Sequence, residues 1–261
     1  MPSSPLPLQG RTALVTGVSR RRGIGFAVAA RLAQMGASLV VHHHRQHDEE
    51  QYGEAEDLAV LLAEIRERQP AGAVVDLAAD LEDPEAPARL IDEAVERAGH
   101  LDILVCNHAH SGDAVSLDRL SAEALDRHWA VNARATLLLT AAFAGRHDGR
   151  PGGRVVWMTS GQGLGPMGDN LAYATSKAAL QGATWSVADE LVGRGILLNT
   201  VNPGPVNTGY LDGAPARLLD RFPLGRPGEP DDPARLVAWL VSDEGRWMVG
   251  QVLSTEGGFR R

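Results

Sequence analysis

Short apolar runs alternate with longer helix-patterned segments along almost the whole chain, and that alternation leaves few folds open. Arg11 to Thr16 (RTALVT), Ser38 to Val41, Ala73 to Leu77, Leu101 to Cys106, Arg154 to Thr159, Ile196 to Val201 and Gln251 to Ser254 read as strands. Between them Ile24 to Met35, Asp48 to Gln69, Pro84 to Ala98, Ser121 to Ala144, Leu171 to Val192 and Asp231 to Val241 carry helical patterns. Ser121 is a helix cap with Glu123 in the first turn, and Pro233 sits near the start of the last helix. Strands that alternate with helices predict an α/β fold with a single doubly wound parallel sheet of about seven strands and helices on both faces. No repeat or low-complexity linker breaks the pattern, so residues 1–261 are expected to form one domain. The Pro-rich opening, residues 1–9, is expected to be a loose tail.

Composition narrows the function. Hydrophobic residues make up 44% of the chain, enough for a sizeable core, and the net charge of −8 offers no basic field for a nucleic-acid partner. A single cysteine, Cys106, excludes an intrachain disulfide and a Cys-rich metal site. No run approaches the ~18 apolar residues of a membrane span. The opening MPSSPLPLQG has neither a charged n-region nor an apolar h-region, so no signal peptide is expected and the cytoplasm is the simplest address.

The first strand runs into Gly17, then Val18-Ser19-Arg20-Arg21-Arg22, then Gly23-Ile24-Gly25 at the head of the first helix. Glycines there let the backbone turn tightly against a pyrophosphate, and the helix offers its N-terminal N–H groups. This strand–turn–helix context is the one a Rossmann dinucleotide site requires. The end of the second strand normally reads the ribose. An acidic residue there suits NAD, and a nearby Arg suits the 2′-phosphate of NADP. The chain reads Val41-His42-His43-His44-Arg45, with no carboxylate before Asp48, and Arg20, Arg21 and Arg22 stand in the adjacent turn. Guanidinium groups meet phosphate bidentately, so NADP(H) is favoured over NAD. Neighbouring histidines on a strand alternate faces, which argues against a metal site.

Ser160, Tyr173 and Lys177 complete the reading. Tyr173 and Lys177 stand four apart, on one face of the expected helix. An ammonium beside a phenol favours the phenolate, and a phenol so tuned can give or take the proton of an alcohol or carbonyl oxygen. A hydroxyl at the preceding strand end, Ser160, can hydrogen-bond the same oxygen. Lys177 is the only lysine in the chain, and Arg cannot substitute for its chemistry.

These residues resemble those of the short-chain dehydrogenase/reductase family, from Thr12 to about Phe259. Thr16-Gly17 with Gly23-Ile24-Gly25 resembles its cofactor turn, and Asp80-Leu81 its adenine-contacting acidic pair. Cys106-Asn107-His108-Ala109 falls where Asn-Asn-Ala-Gly is usual. Asn132 matches the active-site helix asparagine, and Ser160, Tyr173 and Lys177 the other catalytic positions. Pro203, Gly204, Val206 and Thr208 lie in the stretch that resembles the nicotinamide-amide segment. Gly250-Gln251 to Gly258 resembles the C-terminal strand that packs between subunits. The resemblance implies an oxidoreductase acting on small carbonyl compounds or alcohols by hydride transfer. In it Tyr173 donates the proton, Ser160 binds the oxygen, Lys177 holds the ribose and Asn132 positions a water.

Three departures stand out. The Gly17–Gly23 turn is longer than usual and is similar to that of enoyl reductases, whose Tyr–Lys spacing is wider than the one here. His108-Ala109 replaces Ala-Gly and either faces the substrate or is a tolerated variant. Asp189 replaces an Arg that carrier-protein reductases use to hold an acidic carrier, which lowers a 3-oxoacyl-carrier-protein reductase reading. A non-catalytic dinucleotide sensor or scaffold on the same fold is the reading of another class. The Gly161–Gly168 wall and a lid over 203–228 carry Leu164, Met167, Leu211, Leu218 and Leu219, which suggests a mostly apolar substrate. Leu137, Leu138, Leu139, Leu180 and Trp185 make two helices apolar on more than one face, so a homo-tetramer is expected.

Overall fold

The computed structural model describes residues 5–53, 55–70, 72–112, 115–213 and 216–261. Seven parallel strands form one sheet in the order β3-β2-β1-β4-β5-β6-β7. They are β1 (Thr12–Val15), β2 (Ser38–His43), β3 (Val74–Ala78), β4 (Ile103–Cys106), β5 (Gly153–Met158), β6 (Ile196–Asn202) and β7 (Val252–Ser254). The helices are α1 (Ile24–Gln34), α2 (Arg45–Tyr52), α3 (Leu58–Arg68), α4 (Ala86–Ala98), α5 (Ala122–His128), α6 (Ala135–Arg146), α7 (Leu171–Val192), α8 (Ala216–Leu219) and α9 (Asp231–Val241).

The central strands are buried on both faces, as crossover helices demand of a parallel sheet. In register, Leu14 lies between Val40 and Leu104. Leu32, Ile65, Val237 and Val241 fill the core on the face covered by α1, α3 and α9. Leu90, Ile91, Phe143, Leu180 and Leu191 fill it under α4, α6 and α7. The chain winds outward from β1 to β3 and returns to β4 on the other side of β1. A crevice opens at the strand carboxyl ends at that reversal, and ligands bind there in such sheets.

Two expected helices are broken. The 48–69 helix is two: Gly53 ends α2 in a left-handed conformation (φ +81), and the Asp57 carboxylate caps α3 by accepting from Ala59 N–H at 2.9 Å. Glu54 lies outside the described residues. The 121–144 helix begins as expected, with Ser121 Oγ accepting from Ala124 N–H at 3.1 Å. It is then interrupted by a π-helical turn over Trp129–Arg134, and π turns recur at functional sites. The expected tail is likewise corrected. Residues 1–4 lie outside the described residues, but Leu8 is fully buried and its N–H donates to Met35 at 2.8 Å. Among the described residues no helix is long and apolar enough to cross a membrane.

Candidate active site

Asn132 sits in the π turn and is fully buried. Its Oδ1 accepts the His110 N–H at 2.7 Å, and its Nδ2 donates to the His110 carbonyl at 3.0 Å and to Ser176 Oγ at 2.9 Å. Ser176 in turn donates to the Tyr173 carbonyl at 2.7 Å. The asparagine thus joins the loop after β4 to the first turns of α7. Neither the π turn nor this network is visible in the local sequence, because both depend on partners far along the chain.

Lys177 is 2% exposed, and its Nζ donates to the Met158 carbonyl at 2.9 Å. The ammonium stands 5.7 Å from the centre of the Tyr173 ring. Burial lowers the Lys177 pKa to about 8. Thr159 ties the same helix to β5 by donating to the Lys177 carbonyl at 2.9 Å. Ser160, Tyr173 and Lys177 line one cleft of about 950 Å³, and Asn132 lies buried behind its wall.

The same cleft is lined by Gly17, Ser19, Arg20, Arg22, Gly23, Ile24, His44, Asp80, Leu81, Asn107, Pro203, Gly204, Val206 and Thr208. Its turn suits a close-lying pyrophosphate. Gly17 is at φ +71, and a Cβ on Gly25 would lie 2.2 Å from the Gly17 carbonyl oxygen. Gly25 supports the turn from behind and does not line the cleft. Asn107 fixes the turn by donating to the carbonyls of Thr16 (3.0 Å) and Gly17 (3.2 Å).

The arginines lie differently from the sequence expectation. Arg45 begins α2, is exposed and lies outside the cleft lining. Arg21 turns away to Glu64. Arg20 reaches across the cleft to the Thr208 carbonyl at 2.7 Å, and Arg22 grips Asp212 with two bonds of 2.5 and 2.9 Å. The extended turn is thereby tied to the lid. A charge count along the sequence could not foresee these partners, because Asp212 is 190 residues away.

Three residues that the sequence left without a role also shape the cleft. His42 is 2% exposed; its Nδ1 accepts the Gly17 N–H at 3.3 Å and its Nε2–H donates to the Ala79 carbonyl at 3.0 Å. Burial lowers its pKa to about 4, so it is neutral at pH 7. Asp48 is 4% exposed and lines the cleft with one carboxylate oxygen unpartnered among the described residues. Tyr210 brings a lid phenol to the wall. Of the apolar residues expected to face the substrate only Met167 lines the cleft, beside His108, His110, Ser111 and Asn170. Lid residues 214–215 lie outside the described residues.

A family model described as Enoyl-(Acyl carrier protein) reductase matches residues 17–260. An uncharacterized oxidoreductase of Bacillus subtilis (strain 168), YjdA, is 38% identical over 97% of this chain and 98% of its own. An NADPH-dependent aldehyde reductase-like chloroplastic protein of Arabidopsis thaliana is 34% identical, covering 98% of this chain and 96% of that one. The crystal structure of a short-chain dehydrogenase from Burkholderia cenocepacia J2315 in complex with NADP superposes with a TM-score of 0.84. It is 36% identical, over 97% of this chain and 98% of that one. With the sheet order, the glycine turn and the Ser–Tyr–Lys cleft, these likenesses show that the chain belongs to the short-chain dehydrogenase/reductase family.

Proposed function

We propose that the protein is an NADP(H)-dependent carbonyl reductase or alcohol dehydrogenase acting on a small carbonyl compound. One observation carries this reading: a buried lysine held on Met158 stands beside Tyr173 in the cleft that also holds the glycine turn. The likeness to an NADPH-dependent aldehyde reductase-like protein of Arabidopsis and to the Burkholderia structure in complex with NADP supports it. When bound, the nicotinamide supplies or accepts the hydride; the chain's own residues handle the oxygen and the proton. Tyr173 donates its proton to the carbonyl oxygen as charge builds there. Ser160 hydrogen-bonds that oxygen. Lys177 raises the electrostatic preference for the phenolate left behind, and Asn132 orders the path by which a proton returns. The test is NADPH loss across ketones, aldehydes, quinones and acyl thioesters, with the alcohol identified as product.

A carrier-linked 3-oxoacyl reductase is the second reading, favoured by the acyl-carrier description of the matching family model. Asp189, exposed on α7, opposes it by presenting a negative charge to an acidic carrier. Activity on acyl thioesters of a carrier but not on free ketones would establish it.

For the cofactor phosphate we assign Arg45, which is exposed, forms no ion pair among the described residues and adjoins the cleft-lining His44. A charge-assisted hydrogen bond contributes roughly 1.5–3 kcal/mol, so one such Arg gives NADPH about a ten- to hundredfold preference over NADH. Arg45→Ala is expected to lose that preference in a titration of both cofactors at fixed salt. Equal dissociation constants in the unmodified protein would refute the NADP assignment and give the adenosine end to Asp48, whose carboxylate suits a ribose hydroxyl.

A homo-oligomer, most simply a tetramer, is also proposed. Trp185 is 65% exposed and Val192 is exposed, seven residues apart on α7, and Leu138 is exposed on α6. Light scattering at micromolar concentration is expected to give a multiple of 27.8 kDa; a monomer of that mass would refute the assembly.

A further inference from the structure

His108 stands where the family's motif resemblance leads one to expect a small residue, yet it is 7% exposed and built into two catalytic elements at once. Its Nδ1 lies 2.7 Å from Thr16 Oγ1, at the end of β1 beside the cofactor turn. Its Nε2 lies 3.0 Å from the carbonyl of Val131, the residue before Asn132 in the π turn. A carbonyl can only accept, so Nε2 carries the proton and Nδ1 accepts from the threonine hydroxyl. Burial holds the ring's pKa well below the ordinary histidine range, which keeps this neutral tautomer. The flanking residues make parallel ties. Asn107 grips the Thr16 and Gly17 carbonyls, and the His110 backbone closes two bonds on the Asn132 amide.

We infer that His108 is a positioning residue, a strut from Thr16 to Val131 that fixes the Asn132-bearing π turn relative to the cofactor turn. It touches neither proton nor hydride itself. A π turn has an irregular hydrogen-bond ladder, so an added side-chain donor on one of its carbonyls sets where the turn sits. The inference rests on the proposed carbonyl reduction, because the step it serves is the return of a proton past Asn132.

The test compares His108→Ala with His108→Gln. The glutamine amide can donate to Val131 and accept from Thr16. Alanine leaves the carbonyl without its partner. His108→Ala is expected to lower kcat about tenfold, the effect of losing one buried hydrogen bond at the transition state. The carbonyl KM and the cofactor dissociation constant are expected to stay within about twofold, and the solvent deuterium isotope effect on kcat to rise. Amide exchange over residues 129–134 is expected to quicken, and His108→Gln to restore each readout. If His108→Ala fails to fold, Thr16→Val takes its place, because it removes the other end of the strut. An unchanged kcat and isotope effect in His108→Ala would overturn the inference, as would a His108→Gln protein as impaired as the alanine variant. Unchanged exchange over 129–134 would overturn it too. That arm needs no substrate, so absence of turnover in the unmodified protein would refute the proposed function while exchange still decides the strut.

Discussion

Tyr173→Phe lowers kcat by about 10²- to 10⁴-fold, the usual contribution of a positioned proton donor, and leaves the cofactor dissociation constant within about twofold. The substitution removes one oxygen from a partly buried ring and keeps its shape. The ring's contacts with the Lys177 ammonium (5.7 Å) and the His128 ring (6.5 Å between centres) survive. What is lost is the group proposed to hand its proton to the substrate oxygen. Steady-state kinetics with any accepted carbonyl compound, together with a cofactor titration, measures both quantities. Turnover at the unmodified rate would remove Tyr173 from the mechanism; absence of any carbonyl-dependent turnover in the unmodified protein would favour a non-catalytic sensor on the same fold.

Lys177→Met abolishes activity to a similar degree but does not destabilise the protein. The ammonium is buried and its pKa is depressed from 10.5 to about 8. Each unit corresponds to about 1.36 kcal/mol, so the charged lysine costs about 3 kcal/mol of stability at pH 7. The sign follows from the lowered value. The folded state binds the proton more weakly than the unfolded one, so the cost is full below pH 8 and fades as pH rises towards 10.5. Methionine removes that cost and fills the space, while leaving the Met158 carbonyl without its donor at roughly 1–3 kcal/mol. The two nearly offset. Denaturant midpoints at pH 7 are therefore expected to be equal or higher for the variant, while kcat falls at least a hundredfold. A variant that is fully active would remove Lys177 from the mechanism, and one destabilised by several kcal/mol would contradict the stability cost assigned to the buried ammonium.

The chain's periodicities carried the layer architecture because parallel strands must be apolar on both faces and their helices on one. Leu171–Val192 and Asp231–Val241 fall at the expected bounds because each is a single uninterrupted amphipathic or buried stretch. Helix continuity failed where tertiary contacts override local preference. Gly53 ends one helix in a left-handed conformation, and the π turn is held by Asn132 and His108, whose partners lie elsewhere. That Ser160, Tyr173 and Lys177 share one cleft was legible because they bring chemistry at recognisable spacing. The three consecutive histidines were not, since strand alternation tells faces but not depth. His42 is buried under the cofactor turn, while His43 approaches Asp76 at 3.4 Å and His44 approaches Asp80 at 3.9 Å. The partners of the arginine turn were hidden for a related reason. Charge attracts, but only the fold brings Asp212, 190 residues away, within reach of Arg22.

The most direct test of carbonyl reduction is the fate of a label. Unmodified protein is incubated with NADPH deuterated at the transferable position and with whichever carbonyl compound it consumes, and the product is examined by mass spectrometry and NMR. Carbonyl reduction by this site is expected to give an alcohol with one deuterium on the carbinol carbon, in one configuration, and hydroxyl hydrogen drawn from solvent. NADPH binding without any carbonyl-dependent transfer, or deuterium that appears only in water, would contradict it.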